Sequence, residues 1–280
     1  MSSSLDHKDL FLKIIVAVLS IVALIPVFSI VYELVIRGLP VITGAGLKFF
    51  TKTAPAPGDR LYGIGPALVG TVELALISTA IGIPIAFFTG VLIETFRESR
   101  ISQIVNIIAK SLMEIPTVLI GMLVYILLVV PTKTFSIISG GIALALVMMP
   151  YTLTYIEESL NQVQYKYIEA GYGLGMNKKQ VAFKVMVPIA KRGVVVGILI
   201  GITKALGETA PLLFTIGAAR NTINWNPLEP GDAIPLLIFD YIQSPYDNMK
   251  DIAWGSALVL FVLFAILYSS IRLFVKRVRI

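Results

Sequence analysis

Six runs of apolar residues, each long enough to cross a bilayer, decide the class of this chain before any single residue is considered. They occupy roughly residues 10–36, 66–94, 103–130, 136–156, 193–217 and 252–275. A helix rising 1.5 Å per residue needs about 20 residues to cross ~30 Å of hydrocarbon. Of 280 residues, 56% are hydrophobic and 14% charged, a balance too apolar for a soluble globular domain. The expected fold class is all-α, a polytopic membrane protein with six transmembrane helices. The first run is too long for the apolar stretch of a cleaved leader, and no small-residue cleavage site follows it, so it reads as a retained span.

Composition narrows the chemistry. There is no cysteine, which excludes disulfides and thiolate metal sites, and the single histidine, His7, lies in the polar N-terminal tail. No metal or cofactor is expected on this chain. The net charge of +6 is informative through its distribution. With six spans, both termini share one side with the 157–192 loop; of the 23 Lys and Arg, fifteen fall on that side, seven on the other, and Lys204 lies within a run. The positive-inside rule makes that side cytoplasmic, in a multi-pass inner-membrane protein, and leaves no reason to invoke nucleic acid. The phosphate-loop pattern G-x-x-x-x-G-K-[ST] is absent, so the chain is not expected to be an ATPase or any other enzyme by itself.

In chain order, the first span ends near Arg37, and Gly38–Gly65, with Pro55 and Pro57, reads as an irregular external connection. This divides the chain into residues 1–64 and a five-span unit, 65–280. Pro84 should kink the second span, whose Glu73 lies two turns from the external end, within reach of the interface. In the third, Lys110 and Glu114 are one turn apart and share a face, with Pro116 just beyond. Either they form an ion pair, or Glu114 lines a pathway. Gly140, Gly141, Ala143 and Ala145 allow close helix contact in the fourth span.

Glu157 to Gln164 should prolong that span into the cytosol. Tyr165 to Leu174 forms a short amphipathic helix stopped at Gly173 or Gly175, and Met176 to Val187 a new helix leading to Pro188. The fifth span carries Gly193, Gly197, Gly201 and Ala205 at intervals of four, a ridge for close packing. Beside it stand Lys204 and Glu208, one turn apart, each costing about 2.5 to 3.5 kcal/mol to insert. Pro211 cannot donate to the carbonyl of Gly207, which bends the helix near the charges. The pair is either self-satisfied or an anion site or gate, and its cost argues for a task. In the last external loop, the apolar run Ala233–Ile242 is too short to cross; it lies at the interface or meets an external partner. Arg272, Lys276, Arg277 and Arg279 read as cytoplasmic anchors of the last helix.

Two stretches carry a resemblance. Glu169, Ala170 and Gly171, then three residues, Gly175, nine residues, and Val185-x-Val187-Pro188 are similar to the E-A-A-x3-G-x9-I-x-L-P pattern of the membrane subunits of binding-protein-dependent ABC importers, with Gly171 for the second alanine. The resemblance implies a type I importer permease fold, a five-helix core plus an N-terminal helix. It also implies that Tyr167 to Gly175 is a coupling helix seated on an ATP-hydrolysing subunit. A-L-G-E-T-A-P-L-L-F-T, Ala205–Thr215, and A-I-P-L-L-I-F-D-Y, Ala233–Tyr241, resemble the phosphate importer permeases of the PstA type. That family has arginine where Lys204 stands here, and a small or neutral residue is expected at Glu114. The implied pathway residues are Lys204, Gly207, Glu208, Thr209 and Pro211, with Glu114 as a further candidate.

The implied partners are a homologous permease subunit in a heterodimer, two ATP-binding subunits holding ATP and Mg, and a periplasmic or lipid-anchored phosphate-binding protein, with phosphate as substrate. The rival readings are an importer of another anion, such as phosphonate or molybdate, an ion-coupled carrier, and a scaffold subunit with no pathway. Carriers usually repeat their broken helices in two halves, and the fifth-span pattern occurs once.

Overall fold

A computed structural model describes the backbone of residues 3–55 and 63–277 and the side chains of 9–55 and 63–270, and among these every regular element is helical. Pro57, Arg60 and Arg279 lie outside the described residues, as do the side chains of His7, Arg272, Lys276 and Arg277. The helices are α1 (Ser3–Ala45), α2 (Lys48–Thr51), α3 (Gly65–Thr95), α4 (Arg100–Glu114), α5 (Thr117–Thr132), α6 (Ile137–Asn161), α7 (Tyr165–Gly173), α8 (Lys178–Leu206), α9 (Ile234–Ile242) and α10 (Asp247–Arg277). Five are long and apolar enough to cross a membrane, and six if α4 and α5 together make one span.

The core is a stack of α3, α6 and α8 whose contacts are set by small residues. Gly82 lies against Met148, Gly90 against Ile156 and Gly141 against Ile77, so α3 and α6 meet closely along their length. The ridge on α8 works as its spacing implies: Gly193 meets Ser159, Gly197 meets Tyr155, and a Cβ at Gly201 would lie 1.9 Å from Thr152 Oγ1. Between these backbones Leu74, Leu144, Met148, Leu212 and Ile216 form one buried cluster, and Val91, Ile156, Leu160, Val181 and Val194 another. Local chemistry sets two starts. Ser136 accepts the Ser139 N–H at 3.2 Å to begin α6. Asn177 and Gln180 exchange bonds of 3.0 and 2.9 Å in a capping box that begins α8.

Several elements depart from the sequence reading. The helix of the first span continues past Arg37 to Ala45, because its last turns pack on α10, where a Cβ at Gly38 would lie 2.8 Å from Leu258 Cβ and Arg37 covers Trp254 at 5.0 Å. Much of Gly38–Gly65 is thus ordered, with Phe49 of α2 fully buried. The third run is two helices meeting at 104°. Pro116 forces Ile115 out of helical geometry (φ −74°, ψ 127°), since the ring crowds a helical predecessor. Glu73 does not reach outward but is buried on α3.

Pro188 does not close a helix. A π turn, Ala182–Met186, precedes it, Val187 N–H bonds the Ala182 carbonyl, and α8 runs on to Leu206. α5 repeats the device ahead of Pro131, where Val130 N–H reaches the Tyr125 carbonyl across the π turn Tyr125–Val129. One widened turn accommodates a ring that would otherwise collide with the preceding turn. The fifth span also ends early. α8 stops at Leu206, and a 3₁₀ turn, Leu212–Phe214, follows, so residues 207–217 are not helix of that span. Lastly, α9 packs one face into the molecule and leaves Phe239 and Ile242 of the other exposed. It is buried between α3 and α10 through Ile234, Leu237 and Tyr241, and Ile234 N–H bonds Thr71 Oγ1 at 2.9 Å.

Candidate functional site

At one end of the bundle α7 forms a short exposed shelf. Its chain reverses at Gly175, whose φ of +76° is the left-handed conformation that glycine adopts without strain. Met176 N–H then bonds the Gly171 carbonyl at 3.1 Å. Gly171 is the buried residue of α7, and a Cβ there would lie 3.1 Å from Val181 Cγ2 and 3.5 Å from Val185 Cγ2. The replacement of alanine by glycine therefore fits a tighter docking of α7 on α8. Tyr165, Tyr167, Glu169, Ala170 and Tyr172 are exposed, and Lys166 covers the Tyr167 ring at 5.1 Å. Pro188 is not on this shelf. It shapes α8 through the π turn, while Val185 supplies the contact to Gly171.

The second site forms where α8 ends. Lys204 is in its last turn, and its Nζ pairs with Glu208 Oε1 one turn on. The lysine side chain is 34% exposed and the glutamate 11%. A cation suits the negative end of a helix, which adds to the hold of the carboxylate on Lys204. Its Nζ stands 5.4 Å from the Tyr151 ring centre, near the middle of α6, which places the charge pair halfway along the bundle. Gly207 caps the helix and is exposed, Thr209 is half-buried, and the Thr209 carbonyl accepts from Leu212 and Leu213. Pro211 is buried against α5, where a Cβ at Gly121 would lie 2.6 Å from Pro211 Cα.

Lys204, Gly207, Glu208, Thr209 and Pro211 thus form one turn. Glu114 does not join Lys110. It is exposed at the end of α4, and Lys110 reaches instead to Glu157 of α6 at 3.9 Å, because the bend at Pro116 lays α4 along α6.

A third charged group escaped the sequence reading. Arg220 Nε lies 3.1 Å from Asp232 Oδ2 and its Nη2 lies 2.5 Å from Asp240 Oδ2, with the guanidinium 5.1 Å from the Tyr241 ring centre. The Tyr241 hydroxyl donates to the Pro55 carbonyl at 3.2 Å. Asp232 is fully buried, and burial pushes its carboxyl up to about 6 against the opposing pull of Arg220. The network staples the loop after α8 to α9. Its one clue in sequence is Asp240, the charged residue inside an otherwise apolar run.

Residues 82–280 match the family described as binding-protein-dependent transport system inner membrane component. The chain is 43% identical over 269 residues to the probable phosphate transport system permease protein PstA of Methanocaldococcus jannaschii, spanning 96% of this chain and 94% of that one. It is 35% identical over 237 residues to the phosphate transport system permease protein PstA of Haemophilus influenzae, spanning 84% and 82%. Among solved structures, the inward-facing MetNI methionine ABC transporter aligns at a TM-score of 0.64 over 77% of this chain and 97% of that chain, with 18% identity, a likeness of fold.

Proposed function

The chain belongs to the family of binding-protein-dependent transport system inner membrane components, and on that premise we propose that it is the permease subunit of an ATP-driven phosphate importer, with the anion passing the Lys204–Glu208 turn. The observation that carries the site is a one-third-exposed lysine, paired with a single carboxylate, at the broken end of a helix halfway along the bundle. An oxyanion entering a low-dielectric path must exchange water for fixed charge and donors. Lys204 supplies the charge, Glu208 occupies it between turnovers, and the Thr209 hydroxyl is a nearby donor. One lysine does not balance a dianion, so a homologous permease subunit contributes a second cation from across the path.

The exposed shelf of α7, through Tyr167, Glu169 and Ala170, meets one of two ATP-binding subunits, which hold ATP and Mg. Gly171 and Gly175 give that shelf its shape, and Pro188 shapes the helix on which it docks. A periplasmic or lipid-anchored binding protein delivers phosphate at the α9 end. Both termini and the α7 end are cytoplasmic, residues 65–280 form the permease unit, and residues 1–64 add a helix to it. Glu114 stands outside the turn and is left with no assigned part in the path. Phosphonate and molybdate permeases remain the alternative, since a lysine–carboxylate switch suits any oxyanion.

Reconstitution tests both levels. Radiolabelled phosphate should enter proteoliposomes only with ATP, the ATPase, the sister subunit and the binding protein together. Transport by this chain alone would overturn the importer reading, and preferential uptake of another oxyanion would overturn the substrate. Glu169→Lys should leave the helices inserted while binding protein no longer stimulates ATP hydrolysis. Normal stimulation in that variant would remove α7 from the ATPase contact.

A further inference from the structure

A cluster between α3, α4 and α6 is absorbed by neither site. Asn106 Nδ2 of α4 donates to Glu157 Oε1 of α6 at 2.6 Å, and Lys110 Nζ lies 3.9 Å from Glu157 Oε2. Beside these ties, Val105 and Ala109 of α4 pack with Ala86, Ile93, Met149 and Leu153. The buried residues of α4 are Ser102 and Ala109, and Ile101, Ile104, Ile107, Ile108 and Leu112 face outward. Three buried oxygens at this place, Glu157 Oε2, Asn106 Oδ1 and Glu94 Oε2, have no hydrogen-bond partner. Two side chains of α4 thus converge on one carboxylate of α6.

The segments on either side of α4 touch the sites already described. In the connection before it, Phe96 and Arg97 share a cleft with Tyr165 and Tyr172 of α7. Lys178 Nζ covers the Phe96 ring at 5.9 Å, and Arg97 Nη1 donates to Asn161 Oδ1 at 2.8 Å. At its other end comes the 104° break at Pro116, and then Gly121, seated on Pro211 with no room for a methyl group. Pro211 is three residues beyond Glu208. A push on α7 therefore has a contiguous route to the lysine turn, with α4 as its lever.

We propose that Glu157 is a positioning residue for transport: by tying α4 to α6 through Asn106 and Lys110, it makes α4 transmit movement of α7 to the Gly207–Pro211 turn. The inference rests on the assignment of α7 and Lys204 above, and spatial continuity becomes coupling only when the ties prove to matter energetically.

The test uses the complete reconstituted importer. Glu157→Ala should lower phosphate moved per ATP hydrolysed about tenfold, while binding-protein-stimulated hydrolysis is retained, and Glu157→Asp should restore part of the ratio. Asn106→Ala should lower the ratio less and add little in the Glu157→Ala background. A purely structural role would lower uptake and hydrolysis together and leave the ratio unchanged, which overturns the proposal, as does additivity of the two substitutions.

A readout independent of the transported anion uses the chain's lack of cysteine. Spin labels at introduced cysteines replacing Ile108 of α4 and Ile189 of α8 should change separation as one population when nucleotide binds, and give a broad, nucleotide-insensitive distribution in Glu157→Ala. An unmoved distance in the unsubstituted complex overturns the lever. A wild-type complex that moves no phosphate but shows the distance change counts against the substrate and leaves the lever standing.

Discussion

Lys204 and Arg220 are both basic residues paired with carboxylates in largely apolar surroundings, and they are held in opposite ways. Lys204 meets one carboxylate from the next turn, with a third of its side chain exposed, at a point where its helix stops. Arg220 is gripped by two aspartates from two elements, is 16% exposed, and lies against an aromatic ring. A guanidinium fixed by carboxylates from two elements cannot release both for an arriving anion, whereas a flexible ammonium with one partner can exchange it. The contrast teaches that pairing alone does not mark a pathway. The number of partners and the freedom of the side chain separate a switch from a staple.

The sharpest way to break that contrast is to neutralise the switch. The double substitution Lys204→Gln, Glu208→Gln should abolish phosphate uptake, about 100-fold or more, while the assembled complex melts no lower, because two charges leave an apolar site together. Uptake that survives in proteoliposomes would place the path elsewhere. Removing the staple should do the reverse. Arg220→Ala strands the buried Asp232 and should cost about 3 to 5 kcal/mol of stability in a denaturant or thermal titration, with uptake per assembled complex changed far less than by loss of Lys204. Equal damage to uptake would erase the distinction.

A smaller effect follows from pH. The folded Asp232 carboxyl titrates at about 6, above its ordinary value of 3.8, so the folded state binds the proton more tightly than the unfolded one. This group's contribution to stability should therefore decline as pH rises from about 4 to about 6 and stay level above, by ~3 kcal/mol at most. Asp232→Asn should flatten the melting profile in that window. An unchanged profile would mean that another group sets it.

How much was legible in the sequence follows the range of the interactions involved. The α7 shelf and its glycine stop depend on neighbours within a few turns, and the ridge of α8 on a four-residue spacing, and they stand where spacing put them. The lysine–glutamate pair was legible for the same reason, being four residues apart. Pro116, Pro131 and Pro188 were harder, because a proline signals a lost hydrogen bond without saying how the helix absorbs it. One broke a span by 104°, and two were accommodated by π turns. The early end of α8 had a local signal in Gly207 and Pro211, but the apolar residues resuming beyond Glu208 as far as residue 217 masked it. The burial of α9 and the grip on Arg220 rest on partners 12 to 20 residues away, or on other helices, and no local pattern encodes them.

One feature of α1 bears on how the protein is made. Residues 9–30 are exposed throughout, and the helix meets the rest of the chain only in its later turns. At 1.5 Å per residue, that unpacked stretch extends roughly 33 Å, the thickness of a bilayer core by itself. Such a helix is at home in lipid as soon as it leaves the ribosome, and it can wait there without exposing a surface that needs the later helices. The remaining spans can then be threaded in and close their glycine-lined seams against one another, with the first helix as a tether already anchored in the membrane.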